Sequence, residues 1–565
     1  MEYDVVTVGA GPAGLSAAIR VKQLALKKGQ EISVCVIDKG AEVGAHILSG
    51  NVFEPRALNE LFPNWETMEN PPPMDTKAGD DEFLVLTSNR KSISIPHLLH
   101  PTQLDNDGNY IISLSVMCKW LAEQAEELGV EIYPGFAADE VLYDDKSGAV
   151  LGVATKDVGI AKSGENKDSF ERGVELRGKQ TLFAEGCRGS CSEDIMTKFD
   201  LRSGKDVQTY GLGVKEVWTV PEGQFKEGFI QHTLGWPLQD GPMSKTFGGS
   251  FLYHQKPNLV LLGMVVGLDY ENPYISPYKE FQRWKHHPEI SKHIEGGECI
   301  SYGARTLNEG GWHAIPKLTF PGGSLVGCSA GFLNAVKIKG SHTAMKSGML
   351  AAEAIFPEIS KAAAAAEEAG ESFQYQNIEI PEYETNLRKS WIADELKEVR
   401  NTHAAFHNGV LAGMTHTAMS CFITGGIEPW TLKNSVADSA KTGLAKDFEE
   451  IDYPRPDGVL SFDLLTNLQR SGTYHDDDQP AHLRIKPECA HVPLGQSMQK
   501  YAGPESRFCP AQVYEYTDAD EHGNRKLVIN AQNCLHCKAC SIKTPSEYIK
   551  WTVPEGGGGP AYSVM

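Results

Sequence analysis

The chain has 565 residues, of which 41% are hydrophobic and 9% aromatic. This is material for about three to four domains with buried cores, and it excludes a disordered or fibrous protein. The 53 Lys and Arg against 74 Asp and Glu give a formal net charge of −21, which excludes nucleic acid as an expected partner because phosphate backbones are also anionic. Twelve cysteines are too sparse for a secreted disulfide scaffold.

A glycine-rich turn near the N-terminus has the pattern of a dinucleotide site. A predicted strand precedes Gly9-x-Gly11-x-x-Gly14, a predicted helix follows it, and a second predicted strand ends at Asp38. The glycines allow a tight turn, close approach of a pyrophosphate and close helix packing, and the carboxylate can accept from ribose hydroxyls. The alternative is a glycine turn without a ligand. The strand–helix–strand context and the acid favour nucleotide binding.

The nucleotide is predicted to be FAD. The sequence contains no second strand–GxGxxG–helix unit, so one dinucleotide is expected and NAD(P)H is not the expected reductant. A later glycine-rich junction, Gly322 to Cys328, precedes a predicted helix over 341–355, and flavin-binding folds often close their site with such a segment. The usual Gly-Asp pair of that segment is Gly327-Cys328 here, which leaves the ribityl contact unassigned.

A cysteine cluster near the C-terminus predicts an iron–sulfur centre. Cys534, Cys537 and Cys540 form a C-x₂-C-x₂-C run, and Cys509 precedes a proline upstream. A compact triplet plus one remote Cys-Pro supplies the four thiolates of a single [4Fe–4S] cluster. Zinc is the main alternative, but zinc sites usually combine two separated pairs of cysteines. The other eight cysteines are expected to be buried small hydrophobes, Cys421 among them.

Other segments predict a hairpin, an amphipathic helix and the absence of a membrane span. Phe83–Leu86 and Ile93–Ile95 are predicted to form paired strands, and Gly409–Thr424 is predicted to form an amphipathic helix of about four turns. The pattern alone favours an ordinary core-facing helix over one on the surface. The stretch 401–427 lacks Asp, Glu, Lys and Arg but is rich in Gly, Thr, Ser and His, so it is not expected to cross a membrane. The chain enters a predicted strand directly after Met1, so no signal or transit peptide is expected.

Along nearly its whole length the chain resembles the electron-transfer flavoprotein–ubiquinone oxidoreductase family. The segments that carry the resemblance are long and unusual. They are Gly9–Gly14, Gly44-Ala-His-Ile-Leu-Ser-Gly50, Gly248-Gly-Ser-Phe-Leu-Tyr-His254, Phe281-Gln-Arg-Trp-Lys-His-His-Pro288, Glu428-Pro-Trp430, Phe508-Cys-Pro510, Asn533-Cys-Leu-His-Cys-Lys-Ala-Cys540 and Pro554-Glu-Gly-Gly-Gly-Gly-Pro-Ala-Tyr562.

The resemblance implies an electron-transferring-flavoprotein dehydrogenase. Electrons from reduced electron-transfer flavoprotein would pass through one [4Fe–4S] cluster and FAD to ubiquinone, forming ubiquinol at a membrane surface. The implied residues are Cys509, Cys534, Cys537 and Cys540 as iron ligands, Tyr514 near the cluster, Gly9, Gly11, Gly14, Asp38, Gly44 and Gly327 at FAD, Gly248 and Gly249 at the quinone, and Phe83, Leu99, Leu411 and Phe422 at the membrane.

The fold implied is α/β and α+β, with three domains. A Rossmann-like FAD-binding domain takes residues 1–77, 115–214 and 305–360. An inserted β-rich domain for quinone and membrane contact takes 78–114, 215–304 and about 400–430, and a ferredoxin-like [4Fe–4S] domain takes 431–565. The expected location is monotopic on the cytoplasmic face of a bacterial inner membrane, or on the matrix side of the mitochondrial inner membrane if the chain is a processed eukaryotic one.

Two other function classes remain open at this stage. A flavin-dependent isoprenoid reductase of the same superfamily would reduce lipid double bonds, but it does not account for the cysteine cluster with Cys509. A non-catalytic iron–sulfur scaffold does not account for an intact nucleotide fingerprint. The electron-transferring-flavoprotein dehydrogenase implied by the resemblance is therefore the preferred function.

Overall fold

The computed structural model describes residues 1–239, 241–369, 378–519, 521 and 525–565. Its strands are β1 (Glu2–Val8), β2 (Val34–Asp38), β3 (Val52–Phe53), β4 (Thr76–Lys77), β5 (Asp81–Leu86), β6 (Ser92–Ile95), β7 (Tyr110–Ile111), β8 (Glu131–Pro134), β9 (Ala138–Tyr143), β10 (Val150–Thr155), β11 (Val158–Ile160), β12 (Asn166–Glu171), β13 (Glu175–Phe183), β14 (Tyr210–Thr219), β15 (Ile230–Gly235), β16 (Gly248–Gln255), β17 (Leu259–Gly267), β18 (Glu298–Asn308), β19 (Thr319–Phe320), β20 (Gly323–Leu325), β21 (Leu483–Ile485), β22 (Tyr514–Tyr516), β23 (Leu527–Ile529) and β24 (Ile549–Trp551).

The α-helices are α1 (Pro12–Lys28), α2 (Arg56–Leu61), α3 (Leu114–Glu127), α4 (Ser190–Lys198), α5 (Pro277–Trp284), α6 (Pro288–Ser291), α7 (Ser341–Ala369), α8 (Glu382–Arg388), α9 (Trp391–Glu398), α10 (Thr402–Phe406), α11 (Val410–Met419), α12 (Leu464–Gln469), α13 (Gln499–Tyr501), α14 (Glu505–Phe508) and α15 (Ala539–Lys543).

The first sheet has the Rossmann-like form predicted from the glycine turn. Its order is β19-β20-β13-β1-β2-β8, and β10 and β9 are added through β13. β1 pairs in parallel with both β2 and β13. Its residues Tyr3 to Val8 are all buried, because helices cover both faces of a parallel sheet. β2 ends at Asp38, as the sequence predicts.

Two helices pack closely against each other on this sheet. α1 follows the glycine turn, and α7 packs along it. A Cβ on Gly348 of α7 would lie 2.1 Å from the carbonyl oxygen of Ala13, so the close approach of the two helices requires glycine there. This contact fixes the N-terminal end of α1, the end that faces the ligand site described below.

The second sheet is formed mainly by residues between the strands of the first. Its order is β18-β14-β17-β16-β15-β5-β6, antiparallel except where β15 pairs in parallel with β5. The predicted hairpin is present as β5 and β6, with Phe83 opposite Ile95. The hairpin therefore extends this sheet although it lies far from the other strands in sequence.

The C-terminal part consists of short hairpins and loops that pack against the second sheet. β21 pairs with β24, and β22 pairs with β23. Their buried side chains share one hydrophobic core with the outer face of the second sheet, and the hydroxyl of Tyr302 donates to the carbonyl oxygen of Pro510 at 2.8 Å. The observed mixed α/β architecture confirms the predicted fold class. The exact domain boundaries given above stay a prediction.

The helix predicted over Gly409–Thr424 begins at Val410 and runs to Met419, and a π-helical turn, Ser420–Thr424, continues it. Within the described residues, no helix combines the length and the apolar character needed to cross a membrane.

Candidate functional site

A single long cavity of about 480 Å³ joins the two sheets. One end is lined by the glycine turn after β1 and by the ends of β2 and β13, and the other end by β14, β16 and α11. Because it touches both sheets, residues predicted for the nucleotide and for the quinone line the same continuous space.

The glycine turn has the geometry that a pyrophosphate needs. Gly9 has φ +110°, and a Cβ there would lie 2.4 Å from the carbonyl oxygen of Ala184. A Cβ on Gly14 would lie 2.1 Å from the carbonyl oxygen of Gly9, whereas a Cβ on Gly11 would meet nothing nearer than 3.8 Å. Gly9 and Gly14 thus allow the turn, and Gly11 leaves space beside the N-terminus of α1, where N–H groups favour an anion.

Asp38 connects the glycine turn to the end of β2. Its carboxylate accepts from the backbone N–H of Ala10 at 2.9 Å and from that of Gly40 at 2.8 Å, and it lines the cavity. Its ordering of the turn is a structural role that the sequence does not predict. Both oxygens keep lone pairs that can accept from a ribose.

The other two predicted glycines pack behind the cavity wall. Gly44 has φ +91°, and a Cβ would lie 2.5 Å from the carbonyl oxygen of Ser115. Gly327 has φ +62°, and a Cβ would lie 2.7 Å from the Cβ of Ala13, while its neighbour Cys328 lines the cavity. These glycines permit close packing around a bound group, and their role toward FAD stays a prediction.

Three cations that sequence analysis misses line the nucleotide end of the cavity. They are Lys39, Arg305 and Lys538. Burial and the charge of Arg305 lower the pKa of Lys39, and Asp38 and Glu185 partly offset this. An anionic group in the cavity would be attracted to these three cations, so the residues present fit FAD, which when bound accepts and donates electrons. Lys39 directly follows Asp38 in the sequence, whereas nothing in the sequence pattern indicates Arg305.

The four predicted cluster ligands are buried close together. Cys509, Cys534, Cys537 and Cys540 are each 6–9% exposed. Burial, together with the nearby thiol of Cys540, raises the pKa of Cys509 to about 12, despite opposing backbone N–H groups. Four such thiols become thiolates readily only when metal binding displaces their protons.

Two buried donors fit an iron–sulfur cluster. Among the described residues, neither the hydroxyl of Tyr514 nor the Nε1–H of Trp551 has a hydrogen-bond partner. Burial raises the pKa of both Cys540 and Cys534, and the Tyr514 hydroxyl beside Cys540 and the Trp551 indole beside Cys534 partly offset that rise. Both donors therefore face sulfur, and the sulfides and thiolates of a bound cluster would accept from them.

Zinc is the alternative occupant of four cysteines, and it would draw the sulfurs to about 3.8 Å from one another around a single ion with Zn–S bonds of about 2.3 Å. A [4Fe–4S] cluster uses the same four thiolates and, when bound, carries one electron at a time.

The opposite end of the cavity is apolar and contains the two predicted quinone glycines. Gly248 and Gly249 begin β16 and line the cavity together with Phe251. A Cβ on Gly248 would lie 2.2 Å from the carbonyl oxygen of Val265, and a Cβ on Gly249 would lie 3.0 Å from Cδ2 of Leu234. Both glycines lie in a strand, and Gly248 has φ +143°, a backbone conformation that favours glycine whether or not a quinone binds there.

One wall of the cavity at this end is Phe251 on β16. Leu252 faces the opposite side of the strand, and Tyr253 lies on the same side as Phe251 and stacks on its ring at 5.0 Å without lining the cavity. The remaining walls at this end come from segments distant in sequence, including Phe83, Leu99, Phe247, Phe406, Met414 and Ala418.

The predicted membrane residues lie around the mouth of this apolar end. Leu99 and Leu411 are both 59% exposed and Phe422 is 48% exposed, whereas Phe83 is half-buried in the cavity wall. The expectation that the other eight cysteines are buried is confirmed for Cys35, Cys118, Cys187, Cys191 and Cys299 and is wrong for Cys328, Cys421 and Cys489, which are partly exposed.

Comparison with known proteins agrees with this geometry. The family described as "Electron transfer flavoprotein-ubiquinone oxidoreductase, 4Fe-4S" matches residues 458–563, "ETF-QO, ubiquinone-binding" matches 210–307, and "NAD(P)-binding Rossmann-like domain" matches 7–72. These matches confirm the predicted FAD fold and [4Fe–4S] cluster.

Full-length relatives are similar across the whole chain. The mitochondrial electron transfer flavoprotein-ubiquinone oxidoreductase of Arabidopsis thaliana is 54% identical over 567 residues, covering 100% of this chain and 85% of the relative. That of Mus musculus is 52% identical over 568 residues, covering 100% and 89%. A solved geranylgeranyl bacteriochlorophyll reductase-like protein from Thermoplasma acidophilum is 16% identical, covers 75% of this chain and 97% of its own, and has a TM-score of 0.51, which shows a shared fold.

With more than half of its residues identical to those relatives and the cluster and FAD sites in place, the chain belongs to the electron transfer flavoprotein-ubiquinone oxidoreductase family.

Proposed function

We propose that this chain performs its family's reaction while lying on a membrane surface, with ubiquinone in the apolar end of the cavity. The reaction transfers electrons from reduced electron-transfer flavoprotein through one [4Fe–4S] cluster and FAD to ubiquinone, and ubiquinol is formed. The residue roles and the membrane location are the parts that need experiments.

The isoprenoid reductase alternative is not supported. The reductase-like protein of similar fold matches 75% of this chain, and at 16% identity it carries no argument about activity. The four buried cysteines with their two facing donors have no use in a flavin-only reduction of double bonds, whereas an electron entry through iron and sulfur requires them.

The observation that carries the membrane proposal is an apolar rim around the cavity mouth. The rim is formed by exposed side chains of three segments: Leu98, Leu99, Met243, Leu411, Phe422, Ile423 and Ile427. Backbone hydrogen bonds join two of these segments, from Val410 to Ser244 and from Leu411 to Pro242, and the turn Thr102–Leu104 packs against Ser420–Thr424.

The helix in this rim is oriented with its polar side inward. Gly413, Thr417 and Ser420 are buried, and Leu411 and Phe422 are exposed. The hydroxyl of Ser420 donates to the buried carboxylate of Glu428, so the polar groups have partners inside the protein. Exposed apolar clusters with a polar interior are costly in water and are typical of surfaces that enter lipid.

A continuous wall connects this rim to the quinone glycines. Leu99 belongs to the rim and also lines the cavity. Met414 of α11 lines the cavity as well. Ubiquinone has a polar head and a long apolar tail, so it could reach Gly248 and Gly249 from lipid without crossing water.

The membrane proposal is tested with the double variant Leu411→Glu and Phe422→Glu, using Leu26→Glu on α1 as the matched control. Leu26 is 74% exposed and lies outside the rim. We expect the double variant to stay in solution in liposome flotation with its FAD absorbance unchanged, because two carboxylates would have to enter lipid. The control should float with the parent. Equal flotation of all three proteins would contradict the proposal.

The remaining details are proposed on the same basis. The three domains keep the boundaries given above, and the electron-transfer flavoprotein and the membrane surface are the partners. The relatives named above are mitochondrial; the location proposed for this chain is peripheral, on the cytoplasmic face of a bacterial inner membrane, or on the matrix side of the mitochondrial inner membrane for a processed eukaryotic chain.

A further inference from the structure

A buried acid lines the cavity on the same face of the second sheet as the quinone glycines. Glu309 directly follows β18 and is 3% exposed. A Cβ on Gly211 would lie 2.5 Å from its Oε1 and 2.9 Å from the side chain of Val265. Val265 is paired with Gly249 across β17 and β16, so the carboxyl group lies beside the strand that faces the proposed quinone.

The other oxygen of this acid faces a line of polar side chains that leads away from the cavity. Oε2 of Glu309 lies 3.9 Å from Nδ1 of His403, and neither atom has a hydrogen-bond partner among the described residues. The gap is too long for a direct hydrogen bond and short enough to be closed by a side-chain rotation or one bridging water. Two facing unpartnered atoms in a buried place are otherwise costly.

The line continues to the surface. Nε2 of His403 lies 3.4 Å from Oδ2 of Asp269, and Nε2 of His407 lies 3.0 Å from the same oxygen. The side chain of His407 is 30% exposed, whereas that of Asp269 is 3% exposed. Imidazoles and carboxylates are the side chains that pass protons most readily near neutral pH.

A metal ion is the alternative occupant of Asp269, His403 and His407, whose ligand atoms all lie within 4.8 Å of one another. Lys441 argues against it. Its Nζ lies 3.1 Å from Oδ2 of Asp269 and 3.0 Å from Nε2 of His407. An ammonium group therefore already neutralises the carboxylate where a cation would bind.

We propose that Glu309 is the proton donor to ubiquinone, and that His403, Asp269 and His407 carry protons to it from solvent. The proposal rests on the quinone site proposed above. Reduction of ubiquinone consumes two electrons and two protons as both C=O groups become O–H groups. The electrons arrive through the cluster and FAD, and each proton that leaves Glu309 is replaced from water through the three side chains.

The charges around this line fit the roles assigned. Burial and the carboxylates of Asp269 and Asp438 raise the pKa of Glu309 well above its usual range, which favours its protonated form. Burial alone would raise the pKa of Asp269, but the hydrogen bonds of His403 and His407 and the charge of Lys441 hold it well below its usual range. Asp269 lies between the two imidazoles, so its Oδ2 can take a proton from Nε2 of His407 and release it to Nε2 of His403.

The remaining titratable neighbours are Asp438 and Lys543. Burial raises the pKa of Asp438 to about 7, with the Asp269 carboxylate adding to the effect. Burial lowers the pKa of Lys543 to about 8, partly offset by Asp438. Lys543 donates to the carbonyl oxygens of Tyr270 and Asp438.

The test compares two electron acceptors in the holoenzyme reduced by electron-transfer flavoprotein. Ubiquinone needs protons, whereas ferricenium accepts one electron and no proton. In Glu309→Gln we expect kcat with ubiquinone to fall by about tenfold or more. The rate of ferricenium reduction, the KM for ubiquinone and the FAD content should stay at parental values. Glu271→Gln, an exposed acid paired with Lys245 near the same region, is the charge-matched control.

A second variant tests His407, the residue at the solvent-exposed end of the proposed proton path. His407→Ala should slow ubiquinone reduction, leave ferricenium reduction unchanged, and regain activity when imidazole is added, because a small acid can replace the missing proton carrier. A purely structural role for His407 would not give rescue that is specific to ubiquinone.

Several results would overturn the proposal. For Glu309→Gln, these are a parental kcat with ubiquinone, an equal slowing with ubiquinone and ferricenium, or a rise in the KM for ubiquinone alone. For His407→Ala, it is the absence of rescue by imidazole. Failure of the quinone site itself would look different: Gly249→Val would then match the parent in kcat and KM for ubiquinone.

Discussion

The sharpest test of the quinone site is Gly249→Val. Gly249 lines the apolar end of the cavity, and a Cβ there would already lie 3.0 Å from Cδ2 of Leu234 and 3.1 Å from the carbonyl oxygen of Thr233. Valine adds two further methyl groups in the space proposed for the quinone ring. Inserting methyl groups into a filled site costs about 1–3 kcal/mol.

If this cost appears only when quinone is bound, the apparent affinity for ubiquinone falls about 5- to 150-fold, since about 1.4 kcal/mol corresponds to tenfold. The assay is steady-state reduction of ubiquinone by reduced electron-transfer flavoprotein over a range of quinone concentrations. Ferricenium reduction and the FAD and iron contents should stay at parental values, because electron entry lies elsewhere.

Gly223→Val is the matched control for this prediction. Gly223 is exposed and a Cβ there would meet nothing within 4 Å, so the same substitution should leave quinone reduction unchanged. Thermal unfolding of both variants shows whether lower activity comes from filling of the quinone space or from loss of the folded structure. Parental kcat and KM for ubiquinone in Gly249→Val would refute the reasoning and move the quinone to another part of the cavity.

Two further predictions concern the cluster. Cys537→Ala leaves three thiolates, so iron content and the EPR signal of the cluster should be lost or strongly reduced; four irons with an unchanged signal would contradict the ligand assignment. Tyr514→Phe removes a hydrogen bond to sulfur that stabilises the more negative, reduced cluster. Its reduction potential should therefore fall by about 20–65 mV, which corresponds to a net hydrogen bond of about 0.5–1.5 kcal/mol. Redox titration followed by EPR measures this change, and a potential equal to or above the parent would show that the hydroxyl does not donate to the cluster.

The nucleotide and cluster motifs could be read from sequence because their chemistry constrains residue spacing. Gly9, Gly11 and Gly14 must follow a strand and open a helix, and Cys534, Cys537 and Cys540 must converge on one cluster. In both cases a local segment supplies most of the geometry.

The contact between the cluster segment and the FAD cavity was not predictable in that way. The sequence places FAD and the cluster in separate domains, yet Lys538, between two iron ligands, lines the cavity, and so does Trp551. Lys538 also donates to the carbonyl oxygen of Arg188 at 2.9 Å. Such contacts depend on how domains pack, and no local periodicity encodes them.

The same limit applies to the surface helix and to the proton line. The pattern of Gly409–Thr424 identifies two faces, but only the fold decides which is inside: the ring of Phe406 packs where a Cβ on Gly413 would lie. Asp269 and Glu309 lie just beyond the ends of β17 and β18, and His403 belongs to α10, so their proximity is a property of the second sheet and α10 together.

The order of strands along the chain also sets the order in which the sheets can form during synthesis. Every strand of the second sheet has been made once Asn308 has emerged, whereas the first sheet still lacks β20, which pairs with β13 through Thr181 and Gly323. Domains tend to fold as units as the chain emerges. The inserted sheet can therefore fold while the FAD sheet is still open, and the nucleotide can be retained only after β20 and α7 complete the fold around the glycine turn.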